Sequence, residues 1–128
     1  MSIQRRIAAA LIVLAPALAV AGQEPTPAPQ PRKITITAKK FEFNPSRIEL
    51  KSGETVEITL QSEDATHGFT CKELGVDKVI YEKGKPQTVT ITPQKPGTYE
   101  FKCAKWCGFG HGKMKGEIVV TAEEPPKN

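Results

Sequence analysis

The chain has 128 residues, of which 38% are hydrophobic and 25% are charged, and its formal net charge is +4. This length suits a single domain, and the absence of a long basic run or of a basic surface interleaved with aromatic residues argues against a nucleic-acid-binding protein. The sequence contains no evident acid/base pair, activated nucleophile or pocket for a small-molecule substrate, so we do not expect the chain to be an enzyme on its own.

The N-terminus, residues 1–21, has the composition of a secretory signal peptide. A basic start is followed by an apolar run over residues 7–20 and by Ala19-Val20-Ala21, which suits a cleavage site. The alternative is an uncleaved membrane anchor, but a helix from residue 7 to residue 21 would be only about 22 Å long, against a hydrocarbon core of ~30 Å. We therefore expect an exported protein that is periplasmic or otherwise extracytoplasmic, with membrane association left open.

Two further segments are predicted to lie outside the folded domain. Residues 22–32 are predicted to form an extended linker, because proline alternates with other residues from Pro25 to Pro31. Residues 122–128 form a polar, proline-bearing tail. The predicted domain therefore comprises residues 33–121.

Within this domain, short segments alternate apolar and polar residues, which predicts β-strands rather than helices. Turn signals separate them at Ser52-Gly53 and Pro96-Gly97, the second of which suits a type II turn. Several short strands at this spacing predict an all-β domain, either a β-sandwich or a barrel. The predicted strands are Ile34–Ile36, Phe41–Phe43, Ile48–Leu50, Val56–Leu60, Val79–Tyr81, Val89–Ile91, Tyr99–Cys103 and Glu117–Val120.

A glycine-rich segment near the C-terminus has the composition of a metal site. Cys103, Cys107, His111 and Met114 combine two thiols, an imidazole and a thioether. Such ligands select copper or zinc over hard cations, and a Cys and His set with a weak axial Met is typical of copper electron-transfer centres. A further imidazole is needed, and His67 is the remaining histidine. One copper needs only four of these residues, whereas Cys103 adds a second thiolate that could bridge two coppers.

The spacing C-x3-C-x3-H-x2-M, with an upstream His-Gly-Phe and a closing Lys-Gly-Glu-Ile-Val-Val strand, closely resembles the binuclear copper (CuA) domain of cytochrome c oxidase subunit II. Similar loops occur in nitrous oxide reductase. The resemblance covers roughly residues 34–120 and implies a cupredoxin-like Greek-key fold with two copper ions, one copper being the alternative. The ligands that it implies are His67, Cys103, the backbone carbonyl of Lys105, Cys107, His111 and Met114.

Lys105 departs from the family, in which an acidic or amide side chain is commoner at this position. A ligand supplied by the backbone does not depend on the side chain, but the magnesium contact that an acidic residue makes there in the oxidases is not carried over. The oxidase subunit's tryptophan-bearing stretch, associated with electron entry, is also missing. Four lysines instead surround the metal loop, residues 103–114: Lys102, Lys105, Lys113 and Lys115. These lysines form either an ordinary solvated surface or a docking face for an acidic partner.

We expect a monomer that relays single electrons between redox proteins such as a c-type cytochrome or an oxidase. One alternative is a subunit or accessory of a haem-copper terminal oxidase. Another is a copper chaperone or store for assembly of a CuA site. The spectrum of the copper-loaded protein would separate these readings most directly.

Four residues have competing interpretations. Cys103 and Cys107 could form a disulfide, as in other exported proteins, but this would leave the nearby histidines and Met114 unexplained. Cys71 would lie about 13 Å from His67 along an extended strand, so we expect a small buried hydrophobe rather than a ligand. Trp106 could cover the copper or lead electrons to it, or serve only in packing.

The alternation of side chains between the two faces of a strand also predicts how the ligands are placed. Tyr99, Phe101 and Cys103 share one face of a strand, so the strand that buries both aromatic rings should point the Cys103 thiol inward. His67 is expected on a turn that follows the Val56–Leu60 strand. A metal would then join two segments that are distant in the sequence and stabilise the fold.

Overall fold

The computed structural model describes residues 10, 12–17, 19 and 21–124. Most of the predicted signal peptide, and residues 125–128 of the predicted tail, lie outside this part. Residues 22–31, within the predicted linker, carry no regular secondary structure. Among the residues described, none belongs to a helix that is long and apolar enough to cross a membrane.

The described residues form two sheets of a sandwich, as predicted. One sheet has the order β2-β1-β4-β7 and the other β3-β9-β8-β5-β6. The pairs β1 with β4 and β3 with β9 are parallel, whereas the other pairs are antiparallel. The strands are β1 (Arg32–Lys39), β2 (Glu42–Asn44), β3 (Arg47–Lys51), β4 (Val56–Ser62), β5 (His67–Cys71), β6 (Val76–Tyr81), β7 (Gln87–Ile91), β8 (Gly97–Lys102) and β9 (Lys115–Thr121), with short 3-10 turns at Lys72–Leu74 and His111–Lys113.

The core lies between the sheets and is formed by the alternate apolar residues of the strands, as the sequence pattern predicts. In β4, Val56, Ile58 and Leu60 are completely buried, while the intervening residues are not. Towards the metal loop the core becomes aromatic. The ring of Phe101 lies 5.2 Å from that of Phe43 and 5.1 Å from that of Phe69, measured between centroids.

Strand β5 differs from the prediction, because His67 begins a strand instead of lying on a turn. All five residues of β5 are buried, so the strand shows no alternation of buried and exposed positions. Its inner side faces the core through Phe69. Its outer side is covered too, since Gly68 lies against the backbone of the metal loop and Thr70 donates a hydrogen bond to the carbonyl of Val76.

Two aromatic residues lie elsewhere than predicted. Phe41 precedes β2 and is 36% exposed, so it does not share the buried face of Phe43. Tyr99 is only half-buried, because its hydroxyl reaches the surface and donates a hydrogen bond to the carbonyl oxygen of Lys95 at 2.6 Å. Phe101 alone therefore provides the buried aromatic contact that leads to Cys103.

Truncating Phe101 tests this part of the core. Phe101→Ala should lower the free energy of unfolding by about 3–5 kcal/mol, because it removes a completely buried ring that contacts two others. Urea unfolding of the metal-free protein measures the loss. Thr98→Ala, at an exposed position of the same strand, is the control and should change stability by no more than about 0.5 kcal/mol; a comparable loss in both variants would contradict the assignment.

Candidate metal centre

The metal loop, residues 103–114, leaves the sheet from β8 and returns into β9. Lys102 and Lys115 are partners in the β8–β9 register, and the ladder continues one step further because the N–H of Cys103 donates a hydrogen bond to the carbonyl of Met114 at 3.0 Å. The sheet therefore places the first and last predicted ligands of the loop side by side.

The donor atoms of the loop converge around Cys107. Its Sγ lies 3.9 Å from Sγ of Cys103, 3.7 Å from Nδ1 of His111 and 3.7 Å from Sδ of Met114. Both cysteines are free thiols, so the structure does not contain the alternative disulfide. The carbonyl oxygen of Lys105 lies 3.1 Å from Sγ of Cys103.

His67 completes the cluster from β5. One of its ring nitrogens and the sulfurs of Cys103 and Cys107 lie within 4.8 Å of one another. The histidine is completely buried, and its Nε2 lies 2.7 Å from Oδ1 of Asp64. A carboxylate accepts hydrogen bonds, so Nε2 carries the proton and Nδ1 keeps a lone pair. Nδ1 is buried without a partner, which suits a metal ligand.

Asp64 is a residue of the site that the sequence analysis did not identify. Its carboxylate also accepts hydrogen bonds from the backbone N–H of Lys40 at 2.7 Å and of Ala65 at 2.6 Å. Burial acts to raise the pKa of Asp64, but these bonds and the contact with His67 outweigh burial and lower the pKa below its ordinary value. The ionised carboxylate thus holds the imidazole ring in one tautomer. The sequence signal that could have identified Asp64 is the presence of an aspartate three positions before the histidine.

The backbone of the loop is held from two sides by residues without donor atoms. A Cβ on Gly68 would lie 2.8 Å from the backbone nitrogen of Lys105, so only glycine allows β5 to approach the loop so closely. On the other side, the ring of Phe41 covers Gly108, whose φ of +137° also favours glycine, and Gly110. These contacts restrict the conformations that are available to the loop.

The two cysteine side chains of the loop are buried. Cys103 is 5% exposed and Cys107 is 9% exposed. Burial and the neighbouring Cys103 raise the pKa of the Cys107 thiol to about 11. Near neutral pH, a bound metal must therefore displace the proton of Cys107. Thiolate, imidazole, thioether and carbonyl donors together form a set that fits copper.

Cys71 lies at the opposite end of β5 from His67 and is 2% exposed. Burial raises the pKa of its thiol, which keeps the group neutral. This position agrees with the predicted role of a small buried hydrophobe.

The outer rim of the loop combines aromatic and basic side chains. Trp106 is 62% exposed, and its ring lies 5.7 Å from the fully exposed ring of Phe109 and 5.8 Å from that of His111, measured between centroids. Lys105 and Lys113 are exposed on the same loop.

The structure divides the predicted cluster of four lysines. Lys102 and Lys115 lie on β8 and β9 rather than on the loop, and Nζ of Lys115 lies 3.6 Å from a carboxylate oxygen of Glu100. The basic rim of the loop therefore consists of Lys105 and Lys113.

The close approach of β5 to the loop gives a test that changes no donor atom. Gly68→Ala should displace the backbone at Lys105 and weaken copper binding, because its methyl group would meet that backbone at 2.8 Å. Copper titration and the visible spectrum measure the effect. Gly112→Ala is the matched control within the loop, since a Cβ there meets nothing within 4 Å. Normal copper binding by Gly68→Ala would show that the approach does not shape the site.

A protein-family model described as Cupredoxin-like domain matches residues 8–120. Cytochrome c oxidase subunit 2 of Thermus thermophilus is 32% identical over 92 residues, which are 72% of this chain and 67% of that protein. A chain of a heme-copper terminal oxidase dimer, solved by cryo-EM, superposes with a TM-score of 0.63 and 27% identity over 70% of this chain and 65% of its own length. The periplasmic domain of subunit II of cytochrome oxidase (CoxB) of Bradyrhizobium japonicum superposes with a TM-score of 0.66 and 16% identity over 74% of this chain and 88% of its own, which is a likeness of fold. With two sheets, a soft donor cluster on the loop before the last strand and a family match over most of its length, this chain belongs to the cupredoxin-like domain family.

Proposed function

We propose that this protein transfers single electrons through a binuclear copper centre of the CuA type. The observation that carries the proposal is the second buried thiol, Cys103, whose sulfur lies 3.9 Å from that of Cys107. The family implies copper, which supplies a reversible one-electron change when bound. Four donors would satisfy a single copper and would leave Cys103 without a role. A pair of coppers that shares both thiolates would, in contrast, use every donor of the cluster.

The proposed division of ligands follows from the neighbours of each sulfur. Cys103 has the carbonyl oxygen of Lys105 beside it, whereas Cys107 has Met114 and a histidine nitrogen beside it. Each copper would therefore share both thiolates, take one imidazole and have one weak ligand. The proposed ligands are His67 through Nδ1, Cys103, the carbonyl oxygen of Lys105, Cys107, His111 and Met114.

Electron transfer suits this site better than catalysis does. A fast electron-transfer centre needs ligands that keep nearly the same geometry in both oxidation states, and here the sheet, Gly68 and Phe41 constrain the loop. A surface groove lined by Leu50, Ser52 and Thr121 lies at the far end of β3 and β9. A substrate there would be separated from the donor cluster by the length of the sandwich.

A second candidate is a subunit or accessory of a haem-copper terminal oxidase. The similarity to oxidase subunit 2 and to a chain of a terminal oxidase dimer favours it. The electron-transfer step would be the same, but the acceptor would be an oxidase bound stably to this chain. Copurification of an oxidase with the native protein would favour this candidate, and its absence would favour a free carrier. An extracytoplasmic location fits both, given the signal-peptide composition of residues 1–21.

A copper chaperone or store, the third function considered, receives less support. Chaperones require ligands that exchange metal readily. Here His67, Cys103, Cys107 and Met114 are buried, so release of a metal would require opening of the loop.

Copper stoichiometry tests the proposed centre. We expect two copper ions per chain and an electron paramagnetic resonance signal whose hyperfine structure arises from two equivalent nuclei, because the unpaired electron is shared. Elemental analysis and spectroscopy of the oxidised protein provide both values. One copper per chain with hyperfine structure from a single nucleus would contradict the binuclear assignment.

The cysteine variants refine the same test. Cys103→Ser should leave a centre with one copper, whereas Cys107→Ser should be more damaging, because Cys107 lies next to three other donors. Cys71→Ser is the control: it should leave the copper spectrum unchanged and cost about 1–3 kcal/mol of stability, because it buries a hydroxyl. Equal, complete loss of copper in both ligand variants would contradict this order.

The basic rim predicts the kind of partner. If Lys113 lies in the docking face, Lys113→Glu should lower the bimolecular electron-transfer rate with an acidic redox partner, and the difference should shrink as salt is added, because screening acts over about 8–10 Å. Stopped-flow kinetics at low and high salt measure the rates, and the copper spectrum should be unchanged. Lys51→Glu, which makes the same charge change at the far end of the sandwich, is the control. An unaltered rate for Lys113→Glu at low salt would rule out this docking face.

A further inference from the structure

Two aromatic side chains of the metal loop are exposed to solvent. Phe109 is fully exposed and Trp106 is largely exposed, and their rings lie edge to face with 5.7 Å between centroids. A third ring, that of Phe41, packs on the glycines on either side of Phe109 and is itself partly exposed. A single exposed apolar residue needs no explanation, whereas a contiguous exposed patch indicates a surface that another molecule covers.

This aromatic patch accounts for most of the exposed apolar surface of the domain. Among the described residues 33–121, four large hydrophobic side chains are exposed, and three of them are these rings. The fourth, Ile80, pairs with Gly68, the residue of β5 that lies against the backbone of the loop. Paired residues of adjacent strands point to the same face of a sheet, so Ile80 also lies on the side of the loop. The exposed large apolar side chains of the domain are therefore concentrated around the candidate centre.

Trp106 also lies against a proposed ligand. Its ring is 5.8 Å from that of His111, measured between centroids. His111 is only half-buried, whereas the other side chains proposed as ligands are buried, namely His67, Cys103, Cys107 and Met114. The rings of Trp106 and His111 therefore form a short path from the surface of the protein to the donor cluster.

The charge around the patch indicates the chemistry of the molecule that covers it. Lys105 precedes Trp106, Lys113 lies in the turn that begins at His111, and both lysines are exposed, while the loop contains no acidic residue. Protein interfaces have an apolar, aromatic centre and a polar rim. A second copy of this chain fits poorly, because symmetric pairing would bring two basic rims together. A partner with an acidic rim fits.

We propose that Trp106 and Phe109 form the centre of a docking face for a redox protein whose exposed cofactor edge is surrounded by acidic residues, and that the electron passes between this partner and His111 through Trp106. One electron moves, so the partner's cofactor is oxidised when the copper is reduced, or the reverse. Tryptophan is enriched among the residues that carry most of the binding energy of an interface, and a planar cofactor edge packs well on aromatic rings. The inference rests on the proposed copper centre.

Binding of an acidic c-type cytochrome to the metal-free protein, measured by titration calorimetry, tests the docking face. Trp106→Ala should raise the dissociation constant about tenfold or more, as expected for a residue at the centre of an interface, and Phe109→Ala should raise it too. Tyr99→Ala, which removes an aromatic ring near Lys95, is the matched control and should leave it unchanged. The effect of Trp106→Ala should persist at high salt, because apolar contacts are not screened, whereas that of Lys113→Glu should shrink.

Electron transfer by the copper-loaded variants tests the path through Trp106. Of the two exposed rings, that of Trp106 is the one that lies against His111. When the cytochrome is saturating, Trp106→Ala should therefore lower the stopped-flow rate more than Phe109→Ala does, and Trp106→Phe should restore part of the rate. Copper content and the copper spectrum establish that the centre is intact in each variant. Equal saturating rates for the wild type and Trp106→Ala would rule out this path.

Three binding results would overturn the docking face. They are an unchanged dissociation constant for Trp106→Ala, equally tight binding of an acidic and a basic c-type cytochrome, and binding to phosphatidylglycerol vesicles or self-association in place of the cytochrome. Because binding is measured without copper, this failure is distinct from failure of the proposed function. One copper per chain with weakened binding by Trp106→Ala refutes only the binuclear centre, whereas two coppers with unchanged binding refute only the docking face. A wild type that takes up no copper refutes both.

Discussion

The hydrogen bond from the N–H of Cys103 to the carbonyl of Met114 is the constraint on which the candidate centre depends. It extends the β8–β9 ladder beyond the pair Lys102 and Lys115, so backbone hydrogen bonds of the sheet close the loop. Closing a loop costs conformational entropy. Because the sheet has already met that cost, metal binding does not have to gather the donors of residues 103–114 from a disordered segment.

Three contacts from distant parts of the chain then restrict the site further. Asp64 holds the ring of His67 in one tautomer, Gly68 brings β5 against the loop, and Phe41 packs on the loop from the other side. The turn before β2 supports the site twice. It carries Phe41, and the N–H of Lys40 donates a hydrogen bond to the Asp64 carboxylate that orients His67. Restraint of this kind suits electron transfer, because a centre that changes little between oxidation states needs little reorganisation when an electron arrives.

Burial of the donors connects metal binding to stability. Without a metal, the buried and unpaired Nδ1 of His67 is a local cost to stability. A metal at the cluster would remove that cost and connect β5 to the loop between β8 and β9. On the metal loop itself, the side chains of Lys105, Trp106, Phe109 and Lys113 are exposed, and this rim is therefore the proposed docking face.

The sequence by itself determined the features that depend on local pattern. Alternation of apolar and polar residues predicted strands such as β4, because one side faces the core and the other faces water. The spacing of Cys103, Cys107, His111 and Met114 predicted the metal loop, because the kinds of donor atom are properties of the residues themselves. His67 was identified as a ligand candidate because few imidazoles were available, and its resemblance to a known motif supported the choice.

Only the tertiary structure decided what depends on contact between distant strands. Strand β5 is covered on both sides, so its sequence shows no alternation, and His67 was wrongly expected on a turn. The packing of Phe41 on the loop and the need for Gly68 follow from how closely separate segments approach. The position of Tyr81 beside His67 follows from the β5–β6 register, which no short stretch of sequence records, because register is set by the turns and the packing of the whole sheet.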